Sequence, residues 1–114
     1  MTNLAEQQCI PCRGDTPVLK GEKLQVLYNQ LDGHWELEQE HHLTRDLEFN
    51  DFKEALDFTI RVGEMSEEQG HHPEIYLAWG KVTLKVYTHA IDGLSESDFI
   101  WAAKAENIFR ENFE

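Results

Sequence analysis

The chain holds 114 residues, 40% hydrophobic and 28% charged, which is the size and make-up of one globular domain and not of a disordered or fibrous chain. Its 10 Lys and Arg against 22 Asp and Glu leave a net charge of −12 with histidine neutral. A phosphate backbone is repelled by that charge, so nucleic acid is not an expected partner. The longest apolar run, Ile75 to Trp79, is five residues, far below the ~20 that cross a bilayer, so no membrane association is expected.

No basic residue precedes Arg13 and no apolar stretch follows Met1. That start does not read as a targeting segment, and the cytosol is the expected compartment. Residues 1–18 contain Pro11, Gly14 and Pro17 without a sustained period and read as a loop or arm. Residues 19–114 read as a single domain. Cys9 and Cys12 form a C-x-x-C spacing, half of a zinc ligand set. His34, His41 and His42 complete such a set only on paper, at no finger spacing, and Pro11 between the cysteines argues against a redox motif. Two reduced thiols in an arm tucked against the domain is the simpler reading.

Leu24, Leu27, Tyr28 and Leu31 recur at helical spacing with Gly33 beyond them, which predicts a helix over Gly21 to Leu31. Trp35 and Leu37, then Leu43, Leu47 and Phe49, alternate with polar residues and predict two antiparallel strands joined near residues 39 to 41. Asn50 is the expected cap of a long second helix ending at Gly70, with Phe52, Ala55, Leu56, Thr59 and Gly63 along one side, Val62 beside them, and Glu64, Glu67 and Glu68 on the exposed face. Two further strands follow, with Ile75, Leu77 and Trp79 on one face, Val82, Leu84 and Val86 on one face, and the link at Gly80. Ser95 and Asp98 form a capping-box pattern that starts a third helix, whose stripe is Trp101, Ala102, Ala105, Ile108, Phe109 and Phe113. The order α-β-β-α-β-β-α implies an α+β domain, a four-stranded antiparallel sheet with three helices on one face. Because Ile75 to Trp79 is apolar on both parities and the domain is small, a homo-oligomer is expected.

His71 and His72 sit in a turn fixed by Pro73, and His89 ends the last strand. With strands three and four folded about Gly80, Pro73 falls opposite Tyr87, which brings His71 and His72 beside His89. Glu67, four residues before His71, can reach an imidazole N–H and set its tautomer. Imidazoles titrate near neutrality, so two of them can act as proton donor and acceptor in one reaction. Elimination of water suits that equipment. Ser95 and Ser97 are explained by the helix start, with no G-x-S-x-G setting. A histidine–carboxylate metal site is a rival, but adjacent histidines ligate one ion awkwardly and the sequence lacks H-E-x-x-H spacing.

The run Glu67-Glu68-Gln69-Gly70-His71-His72-Pro73, then Trp79, His89 and Asp98, resembles the signature of the pterin-4a-carbinolamine dehydratases. The spacing is an acidic residue, three residues, His-His-Pro, five residues, an aromatic, nine residues and His. The likeness runs from about Leu19 to the C-terminus, includes Gly93-Leu94-Ser95, and extends to the Cys9-to-Leu19 arm of bacterial-type members. It implies dehydration of 4a-hydroxytetrahydrobiopterin to quinonoid dihydrobiopterin in tetrahydrobiopterin recycling, without metal or other cofactor. His71, His72 and His89 would be the acid–base residues, with Glu67 orienting His71. His71, His72, Pro73, Thr88, His89, Ala90, Ile91 and Asp98 would line the pterin, and Asp98 would either fix His89 or complete the capping box. A homodimer or homotetramer is the implied assembly. Alternatives on the same fold are a non-enzymatic binding protein, as a Rubisco assembly factor or transcription-factor dimerisation cofactor, and a role in molybdopterin metabolism. The three histidines favour the enzyme.

Overall fold

Alternation and helical periodicity produce the expected order. In the computed structural model, which describes residues 4–10, 14, 16–31 and 33–114, the elements are α1 (Gly21–Asn29), β1 (Glu36–Glu38), β2 (His42–Glu48), α2 (Phe52–Gln69), β3 (Glu74–Ala78), β4 (Lys81–Val86) and α3 (Glu96–Asn112). The strands form one antiparallel sheet in the order β1-β2-β4-β3. Leu43 and Leu47 of β2 and Val82, Leu84 and Val86 of β4 are buried on one face, which the helices cover. Burying such a side chain stabilises the fold by roughly 1.5–3 kcal/mol. Two tryptophans sit at the centre, Trp35 and Trp101, edge to face at 6.2 Å. Each has a partner for its indole N–H: Trp35 donates to Glu106 Oε1 at 3.0 Å and Trp101 to Ser66 Oγ at 2.9 Å. Those partners remove the cost of burying two donors.

The β3–β4 hairpin turns one half-step earlier than expected. Ile75 pairs with Leu84 and Leu77 with Val82, across a link made of Trp79 and Gly80. Pairing centred on Gly80 would set odd positions opposite odd ones, placing Ile75 against Lys85 and splitting the apolar faces. The observed register puts odd opposite even and keeps both apolar rows on the core side. Trp79 therefore lies in the turn, exposed, and not on the inner face. Gly80 is required there: its φ is +69°, and a Cβ would come within 3.1 Å of the Phe49 carbonyl.

Three further expectations are corrected. Asp51, not Asn50, caps α2, its Oδ1 accepting the Glu54 N–H at 2.9 Å. The core stripe of α2 is Ala55, Phe58, Val62 and Met65, while Phe52, Leu56 and Ile60 face outward. This helix is apolar on two sides, and the side carrying Phe58 wins because its ring joins Phe49, Phe109 and Phe113. Order also begins before Leu19: Leu4 is buried, in a 3-10 turn over Leu4–Glu6 against α3, and Lys104 Nζ donates to the Ala5 carbonyl at 2.8 Å. Cys12 lies outside the described residues. Cys9 is docked on the domain, its N–H donating to Gln69 Oε1 at 2.8 Å.

Candidate active site

The end of α2 aims His71. Gly70 takes a left-handed conformation, φ 63° and ψ 29°, which turns the chain back, and the His71 N–H then donates to the Ser66 carbonyl at 3.2 Å. The imidazole points into the protein, where its Nε2 lies 2.5 Å from Asp98 Oδ1. Asp98 is wholly buried and the His71 side chain is 11% exposed. The other Asp98 oxygen, Oδ2, accepts from Thr88 Oγ1 at 2.7 Å and from the Ser95 N–H at 2.9 Å. Asp98 thus completes the α3 capping box and holds an imidazole with the same carboxyl group. A carboxylate accepts, so Nε2 of His71 carries a proton, and in the neutral ring Nδ1 then keeps its lone pair.

The partners differ from the sequence expectation. Glu67 meets His72, not His71, with Oε2 2.5 Å from Nε2, and this pair is exposed, 78% and 60% for the two side chains. Asp98 meets His71, not His89. His89 starts a 3-10 turn, His89–Ile91, directly after Thr88. That turn is clamped at its base, where Thr88 and Gly93 exchange backbone hydrogen bonds of 2.8 and 3.3 Å. Thr88 itself is bound to Asp98, so the His71 carboxyl partner also anchors the strand end that carries His89. Pro73 and Ile91 are half-buried, and Ala90 is exposed.

Residues that the sequence reading did not assign to the site adjoin His89. Its ring lies 4.2 Å from that of Tyr87, which in turn lies 4.7 Å from that of His41. His41 Nε2 is 2.8 Å from Asp92 Oδ1, and the two Nδ1 atoms of His41 and His42 are 3.0 Å apart. Burial, then the neighbouring Lys85 ammonium and His41, outweigh Glu38 and Glu74 and hold His42 below its ordinary 6.5. The signal available in the sequence was the adjacent His41-His42 pair, but its contact with Asp92 spans 51 positions and no local pattern shows it. Among the described residues no group of three or more His, Cys, Asp or Glu is arranged to hold a metal ion.

A family model described as pterin 4 alpha carbinolamine dehydratase matches residues 17–108. The chain belongs to that family. A relative from Rubrobacter xylanophilus, provisionally named a pterin-4-alpha-carbinolamine dehydratase, is 55% identical over 108 residues, covering 95% of this chain and all of the relative. One of the same provisional name from Alkaliphilus metalliredigens is 48% identical over 106 residues, covering 93% of this chain and 96% of the relative. A crystal structure of a transcriptional coactivator/pterin dehydratase from Brucella melitensis superposes with a TM-score of 0.74 at 28% identity, over 81% of this chain and 98% of that one. Among the described residues of this pterin-4a-carbinolamine dehydratase family member, no helix is long and apolar enough to cross a membrane.

Proposed function

We propose that this chain dehydrates a 4a-hydroxytetrahydropterin, as its biopterin form, to the quinonoid dihydropterin, with His71, His72 and His89 moving the protons. One imidazolium protonates the 4a-hydroxyl, the C4a–O bond breaks and water leaves. A second imidazole takes the N5 proton, and the N5–H electron pair becomes the C4a=N5 bond, so atoms and electrons balance. The reading rests above all on the buried Asp98–His71 pair, which fixes one ring with Nε2 protonated and Nδ1 available to accept. In this reading His71 is the acceptor, Glu67 orients His72, and Pro73, Thr88, Ala90 and Ile91 line the pterin with Asp98 behind them. The setting is pterin recycling in the cytosol.

The stripe Phe52, Leu56 and Ile60 on α2, exposed at successive turns, supports a homodimer or homotetramer. It also supports a second reading, a helix-docking face for another protein, as the Brucella neighbour is described as a transcriptional coactivator as well as a pterin dehydratase. Light scattering separates the two, since a stripe paired with its own copy gives a multiple of the 13.3 kDa chain and Leu56→Glu returns it to monomer. For the enzyme, stopped-flow decay of a 4a-carbinolamine is expected to accelerate in proportion to added protein, in chelator and without nucleotide. Decay at the buffer rate at every protein concentration overturns the proposal.

A further inference from the structure

We infer that Tyr87 is the positioning residue for His89, within a closed ring of contacts that runs His89, Tyr87, His41, Asp92 and back to His89. This rests on the acid–base reading above, and it names residues that neither the His-His-Pro motif nor the resemblance includes. An exposed imidazole is free to change rotamer, whereas a ring that transfers a proton must be held near one geometry. His89 is exposed at the start of its 3-10 turn, so something outside the turn has to hold it. The Tyr87 ring lies against it, centroids 4.2 Å apart and planes at 34°. Tyr87 is itself in contact with the His41 ring at 4.7 Å and with the Lys85 ammonium at 5.8 Å.

His41 is fixed at both ring nitrogens. Nε2 donates to the Asp92 carboxylate at 2.8 Å, and Nδ1 shares a hydrogen bond with His42 Nδ1 at 3.0 Å. Asp92 closes the circuit, because its own N–H donates to the His89 carbonyl at 3.2 Å and ends the same turn in a left-handed conformation, φ 49°. The backbone of His89 and its ring are therefore braced by one set of residues. A left-handed non-glycine residue persists where its surroundings hold it, here by the His41 contact.

The test compares wild type with Tyr87→Phe, Tyr87→Leu and Tyr87→Ala in the full chain. Proton–carbon NMR of the imidazole C–H groups reads the ring contact, and steady-state dehydration of a 4a-carbinolamine reads its use. The expected result is an upfield-shifted His89 signal in wild type and Tyr87→Phe that moves to the free-imidazole position in the Leu and Ala variants. In those two kcat falls about tenfold, with KM within about twofold and the fold intact by circular dichroism in the Leu variant. His41→Ala moves both readouts the same way by less. If the His89 signal moves and kcat does not, the inference falls and the dehydratase reading stands. Should wild type itself not accelerate decay, both fall together, and an unshifted His89 signal in wild type removes the contact on which the inference rests.

Discussion

His71 and His72 are neighbours in the chain, and each holds its Nε2 2.5 Å from a carboxylate oxygen, yet the two pairs are not equivalent. The His72–Glu67 pair stands in solvent, where water competes for both partners and salt screens them, so its net worth is small. The His71–Asp98 pair is enclosed, and the other Asp98 oxygen accepts from Thr88 and Ser95. There the alternative to the bond is a buried polar group without a partner, which costs far more than the bond gains in water. Equal distances thus describe a structural fixture in one case and an adjustable contact in the other.

The comparison breaks most readily at Asp98. Asp98→Ala leaves His71, Thr88 and the Ser95 N–H without their acceptor, and is expected to lower unfolding stability by about 3 kcal/mol, read by urea denaturation. Asp98→Asn keeps the volume and loses less. If burial is what decides, a different enclosed carboxylate should behave alike. Glu106 is one: it accepts from Trp35 and, at 2.9 and 3.0 Å, from Arg45 Nε and Nη2. Glu106→Gln is expected to cost roughly 2 kcal/mol by the same assay, since it strands a poorly exposed guanidinium.

Acid provides an intermediate test. Burial would raise the Glu106 carboxyl, but the hydrogen bonds and charge of Arg45, with help from His34 and Arg110, hold it below its ordinary 4.5. Its contribution is therefore complete above 4.5 and lost as pH falls through the folded value. His42 acts earlier. Its folded pKa lies below 6.5, so stability is full above 6.5 and declines as pH falls from there to the folded value. Thermal melts across that range should show a flatter slope in His42→Gln than in wild type. The smallest effect belongs to the exposed pair: Glu67→Gln is expected to change stability by no more than about 0.5 kcal/mol, a difference that vanishes at high salt.

Those contrasts also explain what the sequence could disclose. The Ser95–Asp98 cap and the Gly70 stop are local, three residues or fewer across, and the order of residues along the chain places them. The His71–Asp98 bond spans 27 positions, and from the chain alone Asp98 needed no further role once its cap was explained. Glu67 was legible as a histidine partner, but two adjacent histidines compete for it, and only the turn at Gly70 settles that His71 points inward and His72 outward. The α2 faces were ambiguous because Phe52, Leu56 and Ile60 oppose Ala55, Phe58 and Val62, and packing against Phe109 and Phe113 selects between them. Period-two alternation located all four strands, whereas the hairpin register needed the turn residues to be assigned correctly, and a half-step there decides that Ile75 pairs with Leu84 and not with Lys85.

Side-by-side single-turnover dehydration by wild type, His71→Ala and His72→Ala tests the account most directly. Loss of the enclosed ring is expected to slow dehydration by about a hundredfold or more, and loss of the solvent-exposed one by roughly tenfold. A His71→Ala protein that dehydrates at the wild-type rate, folded and with Asp98 in place, would contradict it.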